Sequence, residues 1–474
     1  MSDISEILSS GTARSIGAAI SAGRVTSSEV TEWYLNRIQE LNGGEDGLNC
    51  VRSISPLAME QARIADAELG AGRARGPLHG VPYLVKDNIF TTDGTFTSAG
   101  CKALANFSPP YEATLVRRLR EAGAVLLGKT NLTEFADFVS DTMPAEFSGA
   151  GGVVRNPLGP RYGRGQGSSV GSAAAVAARM CAFAVGTETQ NSIQAPTVHS
   201  SVVGFKPTVG AVSRHGIVPL VPSQDSPGPI ALTVEDAQLV FEAMSGTDPN
   251  DTRTRSVDNK PTLANITVNG LRIGVPRRHI ADNVLNENNS FAFMRALEQL
   301  EKAGAVIINP CDLPGAEDLS VVRSSVFRTE FKESLNALLH SLRPCGMSSL
   351  DDIIAYNRRH PDAIPYGQSL LEAANASEGT LSAKYIEDRR RDLALSVDHG
   401  IHAALAAYNA DVLLAPMSAA AKCTGKAGSP VISIPAGQDK DGVPFGITLF
   451  SRPGSDHTLL QMAAEVARIL GKSS

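Results

Sequence analysis

Lys86, Ser168, Ser169 and Ser192 are the residues of this chain whose types and surroundings suit nucleophilic chemistry. Lys86 ends an apolar run, GVPYLVK, and burial lowers a lysine pKa from about 10.4 toward values at which it serves as a base. Ser192 sits in GTETQNSIQAP, just after the apolar run CAFAV. A serine hydroxyl is a weak nucleophile until a base takes its proton, and a neutral buried lysine can do so through an intervening hydroxyl. Each residue also has a plainer role when taken singly: Lys86 as a strand-end partner of Asp87, Ser192 as a turn serine.

Ser169 stands in the middle of a G-x-S-x-G pattern, within GQGSSVGSAAAVAA, which is the spacing of a nucleophile elbow. An elbow serine leaves a buried strand, whereas VVRNPLGPRYGRGQ is a polar loop, and His402 and His457 downstream lie in no motif. As local structure GSSVGS reads as a helix N-terminus whose free amides are met by serine hydroxyls.

The elements that must hold these residues follow from periodicity. Two amphipathic helices open the chain between Thr12 and Leu41, with Ser27 and Ser28 placed to cap the second. A helix over 57–70 precedes the strand that ends at Lys86, and YEATLVRRLREAGAVLLGKT gives a helix, a glycine stop and a second strand. The Gly, Pro and Ser-rich stretch 134–171 predicts a long functional loop. An Ala-rich helix then runs into the strand before Ser192, and 202–230 reads as several short strands. Residues 286–400 are mainly helical, and three strands and a helix close the chain. Mixed helices and strands with no repeat or linker predict an α/β core in one domain over 1–474, with 286–400 as a helical subdomain or lid.

Composition narrows the function classes. The 474 residues carry a net charge of −6 with dispersed Lys and Arg, so no basic stripe for nucleic acid is present. Six cysteines, at 50, 101, 181, 311, 345 and 423, form no CxxC pair and no Cys/His cluster, so neither a zinc site nor a disulfide scaffold is indicated. The N-terminus has no secretory pattern and no run of about 18 apolar residues occurs, so a cytoplasmic protein without membrane partners is expected.

The ordered motifs HGVPYLVKDNI, GKTNLTEFA, RNPLGPRYGRGQGSSVGSAAAVAA, GTETQNSIQAP, GFKPTVGAVSRHGIVPL and SQDSPGPIA resemble the amidase signature family. The likeness continues to PVISIPAGQDKDGVPFGITLF and the closing helix. It implies an α/β/α fold with a large central mixed sheet, and a Ser-cisSer-Lys hydrolase needing neither metal nor cofactor. By this resemblance Lys86 is the base, Ser168 the bridging serine after a cis Gly167–Ser168 peptide, and Ser192 the nucleophile. The family spacing of 24 positions between the two serines is kept, which removes Ser169 as nucleophile. Backbone amides of Thr189, Gln190, Asn191 and Ser192 would hold the oxyanion. The implied reaction is acyl transfer to Ser192 and then to water, releasing a carboxylic acid and ammonia or an amine from a small-molecule amide.

The chain departs from the family's GTDTGGSIR wording at Glu188, Gln190, Asn191 and Gln194. An acid–arginine brace behind the turn would give way to neutral hydrogen bonding, leaving Glu188 to find another partner. Asparagine best tolerates positive φ after glycine, so Asn191 is expected to keep the turn while projecting a side chain beside the oxyanion site. Gln166 and Val170 also replace glycines of the pattern. The wording is closest to a subgroup that includes peptide amidases. An apolar substrate pocket is expected from Phe138, Met143, Phe147, Val170, Phe331 and Tyr366, and the scarcity of basic residues in 137–150 disfavours an anionic substrate. Two other readings stay open: the glutaminase component of a transamidosome, and a catalytically silent binding protein. A homodimer is allowed.

Overall fold

Apolar runs bounded by glycine and proline become strands, and the helical-period stretches become helices, along most of the chain. The computed structural model describes residues 3–159, 166–255 and 266–471. Its first strands are β1 (Val51–Ile54), β2 (Pro82–Lys86), β3 (Val125–Thr130), β4 (Phe147–Ser148), β5 (Gly152–Val153), β6 (Phe183–Glu188) and β7 (Val203–Lys206). There follow β8 (Ser226–Ala231), β9 (Arg272–Gly274), β10 (Val306–Ile308), β11 (Val412–Pro416), β12 (Val431–Gln438) and β13 (Pro444–Phe450). β4 and β5 pair with each other; the other eleven form one mixed sheet, ordered β1-β3-β2-β6-β8-β7-β12-β13-β11-β9-β10. Helices flank this sheet, as the family resemblance implies.

The strands that carry the candidate residues are buried along their whole length, which is why they read as continuous apolar runs rather than alternating ones. β2 runs parallel to both β3 and β6, with Lys86 opposite Thr130 and Val85 opposite Val185. Three carboxyl ends therefore emerge at one edge of the sheet, the place where open α/β sheets collect ligands.

The Ala-rich helix Val170–Ala177 leaves that edge and crosses behind it. Its small residues let it lie directly on backbone: a Cβ on Gly171 would collide with the Asn131 carbonyl oxygen and lie 2.6 Å from that of Cys50. At the N-terminus, Thr26 rather than Ser27 or Ser28 caps the helix Ser27–Asn42, because Glu29 reaches back to the Thr26 amide and completes a capping box. The amides of Ser27 and Ser28 go to the Asp66 carboxylate instead.

Two stretches differ from the expectation. Between 202 and 230 only β7 and β8 form, and the intervening chain is loop, its turn held by the Asp225 carboxylate on the amides of Leu220 and Val221. Within 286–400, β10 joins the edge of the sheet, and the helices after it pack over the loops that follow β3 and precede β8. The ring of Phe138 meets Phe331 at 5.0 Å, Ser140 Oγ donates to the Tyr366 carbonyl at 2.6 Å, and the Ser223 amide donates to Glu330 at 2.8 Å.

Gly171→Ala is expected to cost about 1–3 kcal/mol, the range for overpacking a close contact. Urea unfolding should show a lower midpoint with an unchanged slope.

Candidate active site

The register of β2 on β6 makes the site. With Val85 opposite Val185, Lys86 falls beside Thr187, and its fully buried ammonium nitrogen faces four oxygens. Lys86 Nζ donates to Ser168 Oγ at 2.7 Å, Ser169 Oγ at 3.0 Å, Thr187 Oγ1 at 3.1 Å and the Thr187 carbonyl at 3.3 Å. Asn88 Nδ2 donates to Thr187 Oγ1 at 2.9 Å and fixes that hydroxyl. Asp87 turns away from Lys86 and pairs instead with Arg52 at 3.0 Å and with Ser98. Burial pulls the Lys86 pKa down to about 7, against the opposing pull of the Asp225, Glu188 and Asp137 carboxylates.

The loop after β3 brings the two adjacent serines to this lysine. The Gly167–Ser168 peptide is cis. The Thr133 amide donates to the Ser168 carbonyl at 3.1 Å, and a Cβ on Gly167 would lie 2.7 Å from the Ala145 carbonyl oxygen. Ser169 does not cap the helix that follows, contrary to the local reading of GSSVGS. Its hydroxyl accepts from Lys86 and donates to the Thr187 carbonyl at 3.1 Å, so it orients the lysine. Gly186 permits this: a Cβ there would lie 2.7 Å from Ser169 Oγ. The Ser169 amide donates to the Ser192 carbonyl at 2.9 Å, which ties the serine pair to the turn after β6.

That turn is built differently from the expectation. Neither Gln190 nor Asn191 has positive φ, so no left-handed residue is needed at these two places. Glu188 has not left its post either. Its carboxylate accepts the amides of Ile193 at 2.7 Å and Gln194 at 2.8 Å, together with the Gln194 side chain. A carboxylate at free helix amides makes charge-assisted bonds, so the brace survives without arginine. Thr189 Oγ1 donates to Asp225 at 2.6 Å, and Gln190 Nε2 donates to Gln224 Oε1 at 2.9 Å. Gln190 thus anchors the turn, with Gly425 bare because a Cβ would lie 2.6 Å from Gln190 Cγ. Among the described residues the backbone amides of Gln190 and Ser192 meet no acceptor. Ser192 itself is buried, only 6% exposed.

A cavity of about 220 Å³ opens beside the site, walled by Asn88, Ala136, Thr187, Thr189, Val218 and Ser226 among others. None of the six residues expected to form an apolar pocket lines it. Phe138 and Phe331 belong to an aromatic cluster with Phe135 and Phe327, and Met143 and Val170 are buried in the core. Phe147 and Tyr366 stack edge-to-face at 5.1 Å. These apolar residues pack the loop against the helices above it, and the apolar part of the cavity wall comes instead from Ala136, Ile217, Val218 and Leu220. Thr187 and Asn88 are neighbours of Lys86 that sequence reasoning missed, and Ser169, weighed there as a nucleophile or a helix cap, is a hydrogen-bond partner of the lysine.

Lys86, held by hydroxyls, stands beside the turn that carries Ser192. Residues 29–427 match the family model named Amidase. The chain belongs to the amidase family. The peptide amidase of Stenotrophomonas maltophilia superposes on this amidase with a TM-score of 0.89 at 36% identity, covering 98% of this chain and 97% of that one. A probable amidase of Arabidopsis thaliana is 35% identical over 469 residues, 95% of this chain and 88% of the relative. A glutamyl-tRNA(Gln) amidotransferase subunit from Lachnospira eligens is 32% identical over 468 residues, 92% of this chain and 94% of the relative. The activity of this amidase is amide hydrolysis. Among the described residues no helix is long and apolar enough to cross a membrane.

The lysine environment has a direct readout. In protein carrying carbon-13 at lysine Cε, the Lys86 resonance, assigned by its loss in Lys86→Met, should titrate with a midpoint of about 7. Exposed lysines should titrate at about 10.

Proposed function

We propose that this amidase works through a covalent acyl-enzyme on Ser192, with Lys86 as the base and Ser168 as the proton relay. The observation that carries this reading is the fully buried Lys86 Nζ at 2.7 Å from Ser168 Oγ. In its neutral form the lysine donates to Ser169 and the Thr187 carbonyl and keeps a lone pair for the Ser168 hydroxyl proton. Ser168 can then accept the Ser192 proton as Ser192 attacks the amide carbonyl. The amides of Gln190 and Ser192 are suited to receive the oxyanion, and such pre-aimed donors contribute about 2.7–4 kcal/mol each. The relay then runs backward: the proton returns through Ser168 to the leaving nitrogen, and water, activated the same way, releases the carboxylic acid.

The likeness to a peptide amidase along nearly the whole of both chains supports a stand-alone enzyme acting on the amide of a small molecule or a peptide end. The similarity to an amidotransferase subunit supports the second reading, a glutaminase that works within a complex. Turnover of amides by the purified single chain, in the absence of any partner, is the result expected; activity with glutamine alone, and only on adding partner subunits, would favour the second reading.

Treatment with a fluorophosphonate should label Ser192, as mapped by mass spectrometry, and the label should be lost in Lys86→Ala and Ser168→Ala. Each of these variants should lower kcat by about 10²–10⁴-fold, the span of general acid–base contributions. Labelling at Ser169 would overturn the assignment. The pH profile carries a separate sign: only the neutral lysine accepts a proton, so kcat/KM should rise with pH through about 7 and then level off.

A further inference from the structure

β6 and β8 pair antiparallel from Ala184 opposite Ile230 to Glu188 opposite Ser226, and there the backbone ladder ends. Beyond that pair the amides of Gln224 and Asp225 turn back to the Val221 carbonyl, at 2.7 and 2.8 Å, so neither is available to the chain leaving β6. The register nonetheless continues. Thr189, one place past Glu188, donates its hydroxyl to Asp225, one place before Ser226, at 2.6 Å. Gln190, two places past, donates its side-chain amide to Gln224, two places before, at 2.9 Å. Side chains take over the pairing that the backbone gives up.

A paired strand cannot itself be an oxyanion site, because a backbone amide bonded to its neighbour has no hydrogen left for a substrate oxygen. The amides of Gln190 and Ser192, the donors suited to the oxyanion, meet no acceptor among the described residues. Free amides on an untethered turn would in turn be poorly aimed, and a misplacement of about 1 Å can cost about 10²-fold in rate. The two side-chain bonds meet both demands: they fix residues 189 and 190 to the chain entering β8 and use neither amide. Thr189 and Gln224 are buried, so bulk water does not compete for these bonds.

The anchors are themselves held. The second carboxylate oxygen of Asp225 accepts the amides of Leu220 and Val221, both at 2.9 Å. From the other side the helix Ala421–Ala427 closes on the turn, where a Cβ on Gly425 would lie 2.6 Å from both the Thr189 carbonyl oxygen and Gln190 Cγ. The turn is thus tied on one side and blocked on the other. Glycine at 190, the family's usual residue there, offers no side-chain tie of this kind.

We propose that Thr189 with Asp225, and Gln190 with Gln224, are positioning residues for amide hydrolysis: their side-chain bonds carry the β6–β8 register past the end of the backbone ladder, and so hold the Gln190 and Ser192 amides in place while leaving them free for the substrate's carbonyl oxygen. The gain falls on the transition state, because these donors meet a full charge only when that oxygen becomes an oxyanion. The proposal rests on the Ser192 reading for where the oxygen stands.

The test separates kcat from KM on N-acetylphenylalaninamide, read as ammonia release. Thr189→Val keeps the side-chain shape and loses the hydroxyl, and should lower kcat by about 10–10²-fold with KM within about twofold. Thr189→Ser, which restores the hydroxyl, should recover most of that loss. Gln190→Leu should give a smaller fall of the same kind, and the two changes together a larger fall than either. Independently of turnover, labelling by a fluorophosphonate should slow by a similar factor in Thr189→Val; in that reaction the Ser192 oxygen bonds to phosphorus, fluoride leaves, the Ser192 proton passes to Ser168, and the phosphonyl oxygen takes the oxyanion's place. Labelling unaffected by Thr189→Val, a loss confined to KM, or a loss that serine does not recover would overturn the proposal while leaving the acyl-enzyme intact. Absence of any Ser192 label in the wild-type enzyme would instead remove the acyl-enzyme reading and this proposal together.

Discussion

Burying one lysine nitrogen is the constraint on which the rest of this molecule depends. An ammonium taken out of water is costly unless its hydrogens are satisfied, and here four oxygens from two segments meet it. Those segments must be brought to the end of β2 within tenths of an ångström. The parallel pairing of β2 with β6 supplies Thr187, and the loop that crosses from β3 supplies Ser168 and Ser169. Bare positions at Gly186, Gly167 and Gly171 let these segments approach, because a Cβ at any of them would meet backbone or a site side chain.

The second layer of the site is made of polar anchors that keep the turn after β6 in shape. Glu188 holds the start of the helix Gln194–His199, Thr189 and Gln190 tie the turn to Asp225 and Gln224, and the Ser169 amide joins it to the serine pair. This redundancy explains how the turn can carry Gln190 and Asn191 where its relatives' pattern has glycine. Substitution of Gln for Arg at 194 keeps the brace because the carboxylate draws two backbone amides whatever the side chain offers. The aromatic residues of the loop serve a different end: they pack it against the helices beyond β10, and leave the cavity wall to other residues, among them Ile217, Val218 and Leu220 with Asn88 and Thr187.

Most of the framework is legible along the chain because it is written in local signals. The runs PYLVK, VLLGKT and FAVGTE are strands for the reason they look like strands, being buried on both faces, and the Ala-rich stretch is a helix because only small side chains fit where it lies. The ordered motifs and the spacing of Ser168 and Ser192 single out the same lysine and serine neighbourhood that the fold assembles. The contacts of Ser169 are hidden in the sequence, since a G-x-S-x-G pattern and a helix cap both suit it, whereas in the fold its hydroxyl meets Lys86 and the Thr187 carbonyl and makes no cap. The loop 202–230 reads as strands along the chain because short apolar runs between prolines look alike whether paired or not.

What the sequence determined by itself, then, is most of the elements, the family and the candidates Lys86, Ser168 and Ser192, because periodicity, turn residues and motif order act over a few positions. Tertiary structure alone decided which oxygens Lys86 faces, and that Phe138, Met143, Val170 and Phe331 pack in the core and not in the wall of the cavity beside Lys86. These depend on contacts between residues tens to more than a hundred positions apart. Strand register and loop packing settle such contacts, and no local pattern encodes them.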